Sequence, residues 1–158
     1  MKDSIKTWLN FGAISGVITT LWLMVGLAFG SGSDVIVIGG ILTIAIADSM
    51  SDALWIHVSE ESKNQKNKEV WLATIITFVT KFLFAISFIV PLLIFSLQTA
   101  VLVSAIWWLL VVIFVSYKIA RNRWENPLNT ILEHVGITVL VIVLTYIVWM
   151  WISNKFWT

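Results

Sequence analysis

Four ionisable residues stand inside stretches apolar enough to cross a bilayer: Asp48, Asp52, Lys81 and Glu133. A charge in lipid is costly, so such residues pair with one another or line a path for an ion. Asp48 and Asp52 are four positions apart, one helical turn, and share a stripe with Ser51 and Ser59. A second stripe of the same segment carries Met50, His57 and Glu61, the last two again one turn apart. Carboxylate, imidazole and thioether together make a borderline ligand set, better suited to Fe²⁺ or Mn²⁺ than to Mg²⁺ or Ca²⁺. On that reading Asp48, Met50 and Asp52 form a site within the membrane, and His57, Glu60 and Glu61 are ligands on its cytoplasmic approach. Each also has a plainer role: Met as packing, His57 as a solvated interfacial residue, Glu60 and Glu61 as a charged helix end.

Lys81 calls for a partner. Asp48 lies ten residues before Val58, roughly 15 Å from one end of its segment at the helical rise, and Lys81 lies eleven residues into the next, roughly 16 Å from the same side. The matched depth predicts an Asp48–Lys81 pair, serving either as a structural ion pair or as part of an ion path. Ser15, in the first segment, reaches a depth from which it faces Asp48 or Asp52. Glu133, beside His134, is read as a path residue or as an interfacial carboxylate near Lys118 and Arg121.

The elements that must hold these residues follow from hydropathy. Hydrophobic residues make up 59% of the 158, charged residues 12%, and the mean hydropathy is +0.93. A soluble domain carries about twice that charge, so lipid is the solvent for most of this chain. A spanning helix needs about 20 apolar residues, and five stretches qualify, at about 8–29, 35–58, 70–97, 100–119 and 128–153. The charge-free run 82–117 is too long for one span; Pro91 predicts a kink within the third helix and Gln98-Thr99 a tight turn before the fourth. The first segment runs uncharged from 7 to 33, too long for a signal-peptide core, and is read as a retained helix. The expected fold is therefore all-α, a single transmembrane domain over 1–158.

With five spans, the N-terminus and the loops at 60–69 and 118–127 share one side. That side holds eight of the ten cations: Lys2, Lys6, Lys63, Lys66, Lys68, Lys118, Arg121 and Arg123. Lys155 alone falls opposite, which predicts a cytoplasmic N-terminus in the cell membrane. Trp8, Trp71 and Trp124 would mark the cytoplasmic interface and Trp149, Trp151 and Trp157 the outer one. Gly12 and Gly16 form a G-x-x-x-G pattern that permits close helix approach.

There is no cysteine, which excludes disulfides, thiolate metal sites and cysteine nucleophiles. No phosphate-binding glycine loop, H-E-x-x-H, G-x-S-x-G or basic amphipathic segment is present, so neither an enzyme nor a nucleic-acid partner is expected.

Three stretches resemble the vacuolar iron transporter family. Ser15-Gly16-Val17-Ile18-Thr19-Thr20 is similar to its first-helix motif, Ser49-Met50 with Val58-Ser59 to its second, and Ser87-Phe88-Ile89-Val90-Pro91-Leu92-Leu93 to its third. Leu144-Thr145-Tyr146 is similar to the end of its fifth helix. The resemblance implies five helices and a homodimer through helices 1 and 2, moving Fe²⁺ or Mn²⁺ out of the cytosol against protons, with the metal as substrate and no other cofactor. By the same resemblance Met50 is the membrane-embedded thioether ligand, and Ser15 takes the place of a first-helix Asp. The family's second-helix Gly-Glu-Tyr appears as Ala53-Leu54-Trp55, and its long Glu-rich domain between helices 2 and 3 is replaced by a connection of about a dozen residues. Those departures give the alternative: a membrane scaffold or subunit that keeps the fold without transporting. An intramembrane enzyme using Asp48 and Asp52 as an acid–base pair ranks third, since no nucleophile accompanies them.

Overall fold

The structure is a computed structural model that describes residues 2–156, without the side chains at 2–4, 153, 154 and 156. Every element among the described residues is a helix: α1 (Lys2–Ser31), α2 (Asp34–Ser62), α3 (Asn67–Ser87), α4 (Ile89–Ile94), α5 (Leu97–Arg123) and α6 (Pro127–Phe156). Backbone polar groups in lipid must be satisfied within their own segment, and these sequences are apolar on all sides, so helix is the only economical state. Among the described residues, five spans are long and apolar enough to cross a membrane, α3 and α4 together counting as one. The protein is an all-α integral membrane protein.

The third span is broken rather than kinked. Pro91 has no N–H to offer the Ser87 carbonyl one turn earlier, and its ring crowds that oxygen. The helix accordingly ends at Ser87, and the single-turn α4 starts at Ile89. The reversal into the next span comes at Phe95-Ser96, slightly ahead of the expected Gln98-Thr99, and the Ser96 and Thr99 hydroxyls sit 3.1 Å apart across it. Helices also extend past their apolar cores. The α2–α3 connection shrinks from the expected dozen residues to the four at 63–66, closed by Asn64 at φ 54°. Gly32, at φ +60°, turns α1 into α2, with its N–H on the Ala28 carbonyl.

α1, α2 and α3 form the tightest part of the bundle, while α5 and α6 lie on the other side of α1 and against each other. Between helices in lipid there is no hydrophobic driving force, so close approach depends on small residues. α3 contributes a buried stripe of Val70, Ala73, Thr77, Lys81 and Ala85, spaced by three or four. α2 faces it with Ala45, Ser49, Ala53 and Ile56. Gly12 and Gly16 of α1 close the third side. Along the bundle axis, Val17, Leu21, Met24, Val37, Ile41 and Phe88 form the main apolar core at one end, and Trp8, Ile56 and Ala73 a smaller one at the other. Lys81 falls between them. Trp8 is thus a core residue, 5% exposed, rather than the interfacial anchor expected for it, while Trp71 and Trp124 are exposed as expected. Trp149 packs its ring tip on Gly30, Trp151 is exposed, and Trp157 lies outside the described residues.

Candidate functional site: an ionisable centre inside the bundle

Lys81 is only 1% exposed. Its Nζ donates to Asp52 Oδ2 and lies 2.6 Å from Asp48 Oδ2. One ammonium therefore bridges two carboxylates on successive turns of α2. The two contacts are unequal. The approach to Asp52 has hydrogen-bond geometry; Asp48 Oδ2, itself buried, receives the charge without a directed hydrogen bond. A third helix joins through Ser15, whose Oγ donates to the same Asp52 Oδ2 at 2.8 Å. Thr19 Oγ1 in turn donates to the Ser15 carbonyl at 2.9 Å, holding the α1 backbone of this turn.

The geometry follows from three local facts. Asp48 and Asp52 are i, i+4 and so stack on one face. A lysine stem long enough to reach both fits only where its own helix can approach closely. Gly12 and Gly16 provide that approach: a Cβ on Gly16 would stand 2.8 Å from the Lys81 carbonyl oxygen, and one on Gly12 3.0 Å from Thr80 Cβ. The glycine pair expected to seat a second copy is thus consumed within the chain, against α3.

Two cavities approach the centre from opposite ends. A cleft of about 710 Å³ between α1, α5 and α6 opens near the chain's N-terminal end and includes Ser15, the donor to Asp52. A groove of about 600 Å³ between α1 and α2 lies toward the other end and is bordered by Leu23, Leu27, Thr43 and Asp48. Asp48 thus borders the groove, and Ser15, the donor to Asp52, borders the cleft, while Asp52 itself lines neither of the two.

The six candidate metal ligands fall into three settings. Asp48 and Asp52 belong to the centre just described. Met50 is 56% exposed on the outward side of α2, because two residues rotate a helix by about 200°. It borders a groove with His57, Trp71 and Thr74 instead. His57 Nδ1 is 2.9 Å from Thr74 Oγ1, and that hydroxyl spends its proton on the Val70 carbonyl at 2.8 Å. Nδ1 is therefore the donor, and Nε2 faces Glu61 Oε1 at 3.5 Å. Glu60 is buried apart from these, paired with Lys63 at 2.7 Å. Among the described residues no three His, Asp or Glu side chains converge on one point. The expected Asp48–Met50–Asp52 triad is not assembled. Glu133 is exposed on α6, while its neighbour His134 turns inward, with Nδ1 2.8 Å from Ser116 Oγ.

Sequence reasoning paired Lys81 with Asp48 and missed Asp52 as its second partner. The i, i+4 spacing held that signal, since a side chain placed between two turns meets both. Thr74 as the partner of His57 carried no signal in the sequence.

These features define an integral membrane bundle with a charged centre. The chain matches no protein-family model, no curated protein and no solved structure.

Proposed function

We propose that the protein is a membrane transporter that exchanges a divalent transition-metal cation for protons at the Ser15–Asp48–Asp52–Lys81 centre. The observation that carries this reading is the single ammonium held between two carboxylates, with a groove bordered by Asp48 and a cleft bordered by Ser15, the donor to Asp52, at opposite ends of the bundle. With all three groups ionised the centre has a net charge of −1. A net negative charge beside a buried ammonium inside a membrane bundle favours the binding of a further cation there. A metal cation and the Lys81 ammonium compete for the same oxygens, which couples loading of one to displacement or neutralisation of the other. The donor set is Asp48, Asp52 and the Ser15 hydroxyl, all oxygen. That set is of the kind that suits Mn²⁺, and Mg²⁺ and Ca²⁺ with it, and holds no soft ligand that selects Fe²⁺. The excess of Lys and Arg at the end bearing the 60–69 and 118–127 loops supports a cytoplasmic location for that end in a cell-membrane protein on this reading. Pairing of two copies through α1 and α2 belongs to the same reading, and would use the outward side of α2 at Ile46, Met50 and Leu54, since Gly12 and Gly16 are covered.

The test is Mn²⁺ flux into proteoliposomes containing a pH-sensitive dye. Wild type should move Mn²⁺ with counterflow of protons, Asp52→Asn should abolish both, and Met50→Leu should keep them. Loss of flux in Met50→Leu with retention in Asp52→Asn would overturn the assignment of the centre. The second reading, a non-transporting scaffold, is favoured by one observation: Lys81 and Ser15 already engage both carboxylates within the chain. Absence of any cation or proton flux from a folded wild-type protein would decide for it.

A further inference from the structure

The cleft between α1, α5 and α6 has a composition that a cation path does not explain. Its wall includes Lys6 and Arg123, the amides Asn10 and Asn122, and His134, above an apolar floor of residues such as Ile14. Two cationic side chains in one wall suit an oxyanion. Arg123 engages Glu125 Oε1 through Nη2 at 2.8 Å, but a guanidinium carries five N–H donors in a planar fork suited to phosphate. Next to it Trp124 is 97% exposed, held outward by a left-handed backbone at φ 59°. Lys118, one turn before Asn122, lays its ammonium over the Phe114 ring at 4.4 Å. An exposed Trp that follows Lys118, Arg121 and Arg123 at the end of a spanning helix marks headgroup depth in a bilayer. The cleft therefore opens where lipid phosphates lie.

We propose that this cleft binds the headgroup of an anionic phospholipid. Its size, cationic mouth, neutral amide donors and apolar floor match an amphiphile better than an inorganic ion, and basic pockets between spanning helices are a recurrent form of such sites. The bound headgroup adds its phosphate oxygens to the contacts Lys6 and Arg123 already make, in the cleft that Ser15 also borders. The inference concerns binding alone and shares with the transport reading the cleft that Ser15 borders.

The experiment compares the melting temperature of the purified full-length protein in neutral detergent after addition of phosphatidylglycerol, phosphatidylcholine or inorganic phosphate. Phosphatidylglycerol should raise it by several degrees more than phosphatidylcholine, and phosphate alone should give no such increment. Lys6→Gln with Arg123→Gln should lose at least half of the increment. Lys66→Gln with Lys68→Gln, which removes the same charge from the α2–α3 end outside the cleft, should keep it. Equal loss in both double variants would mean diffuse surface attraction and overturn the proposal. So would equal stabilisation by the two lipids, or an equal increment from phosphate alone. Where the first double variant does not fold, native mass spectrometry of the wild type decides: one retained phosphatidylglycerol that exchanges poorly for phosphatidylcholine supports the site, and none removes it.

Discussion

Gly16 of α1 and Lys81 of α3 are in backbone contact, so close that a Cβ on Gly16 would meet the Lys81 carbonyl oxygen at 2.8 Å. The contact sets the distance between the two helices at the level where Lys81 must pass its stem toward α2. Helix packing and charge placement are therefore one problem in this protein, solved by one small residue.

Gly16→Ala should lower stability by about 1–3 kcal/mol, because the group it strikes is backbone and only a shift of a whole helix relieves it. Gly16→Leu should cost more. Gly39→Ala, where a Cβ meets nothing within 4 Å, should be neutral or slightly stabilising, as expected for removing a helical glycine. Thermal unfolding in detergent measures all three. The mass by light scattering should not change in Gly16→Ala, since the contact lies within one chain; a shift to smaller particles would return the glycine pair to an intermolecular role.

Lys81→Met should destabilise the protein by about 3–5 kcal/mol, because it leaves Asp48 and Asp52 facing each other without a cation. Adding Asp48→Asn and Asp52→Asn to that variant should recover most of the loss. A thermodynamic cycle over the three positions reads the coupling directly, and strictly additive losses would show that the charges do not interact.

Trp8→Ala should cost about 3–5 kcal/mol, the range for a large aromatic removed from a packed core. An interfacial anchor would cost far less. Trp124→Ala, at the most exposed aromatic among the described residues, should stay within about 0.5 kcal/mol in detergent. Similar losses in the two variants would contradict the placement of Trp8.

Topology can be read without background, since the chain has no native cysteine. Ser33→Cys sits in the α1–α2 turn and Lys66→Cys in the α2–α3 turn, at opposite ends of α2. An impermeant thiol reagent on intact cells should label Ser33→Cys and spare Lys66→Cys until the membrane is opened. Labelling of both before opening is incompatible with α2 as a span, and the reverse pattern inverts the orientation.

The number of spans and the positions of the buried charges were fixed by sequence alone, because lipid admits only long apolar segments whose backbones are satisfied internally, and any charge within them stands out. The Lys81–Asp48 depth match was equally legible, since the rise of a helix per residue is constant. What the sequence left open was rotation. The segment that became α2 carries polar residues in two stripes as well as apolar ones on every side, so the pattern does not tell which stripe meets α3 and which meets lipid, and Met50 was grouped with carboxylates of the other stripe. The same ambiguity hid the choice of partner for Gly12 and Gly16, where close approach is encoded but the approaching helix is not. Trp8 was assigned to the interface by its position near the end of a span, yet the packing of Ile56 and Ala73 around it makes it core. In lipid, where burial in protein and exposure to solvent are both apolar, only the contacts among the assembled helices set these rotations, and with them which carboxylates Lys81 can reach.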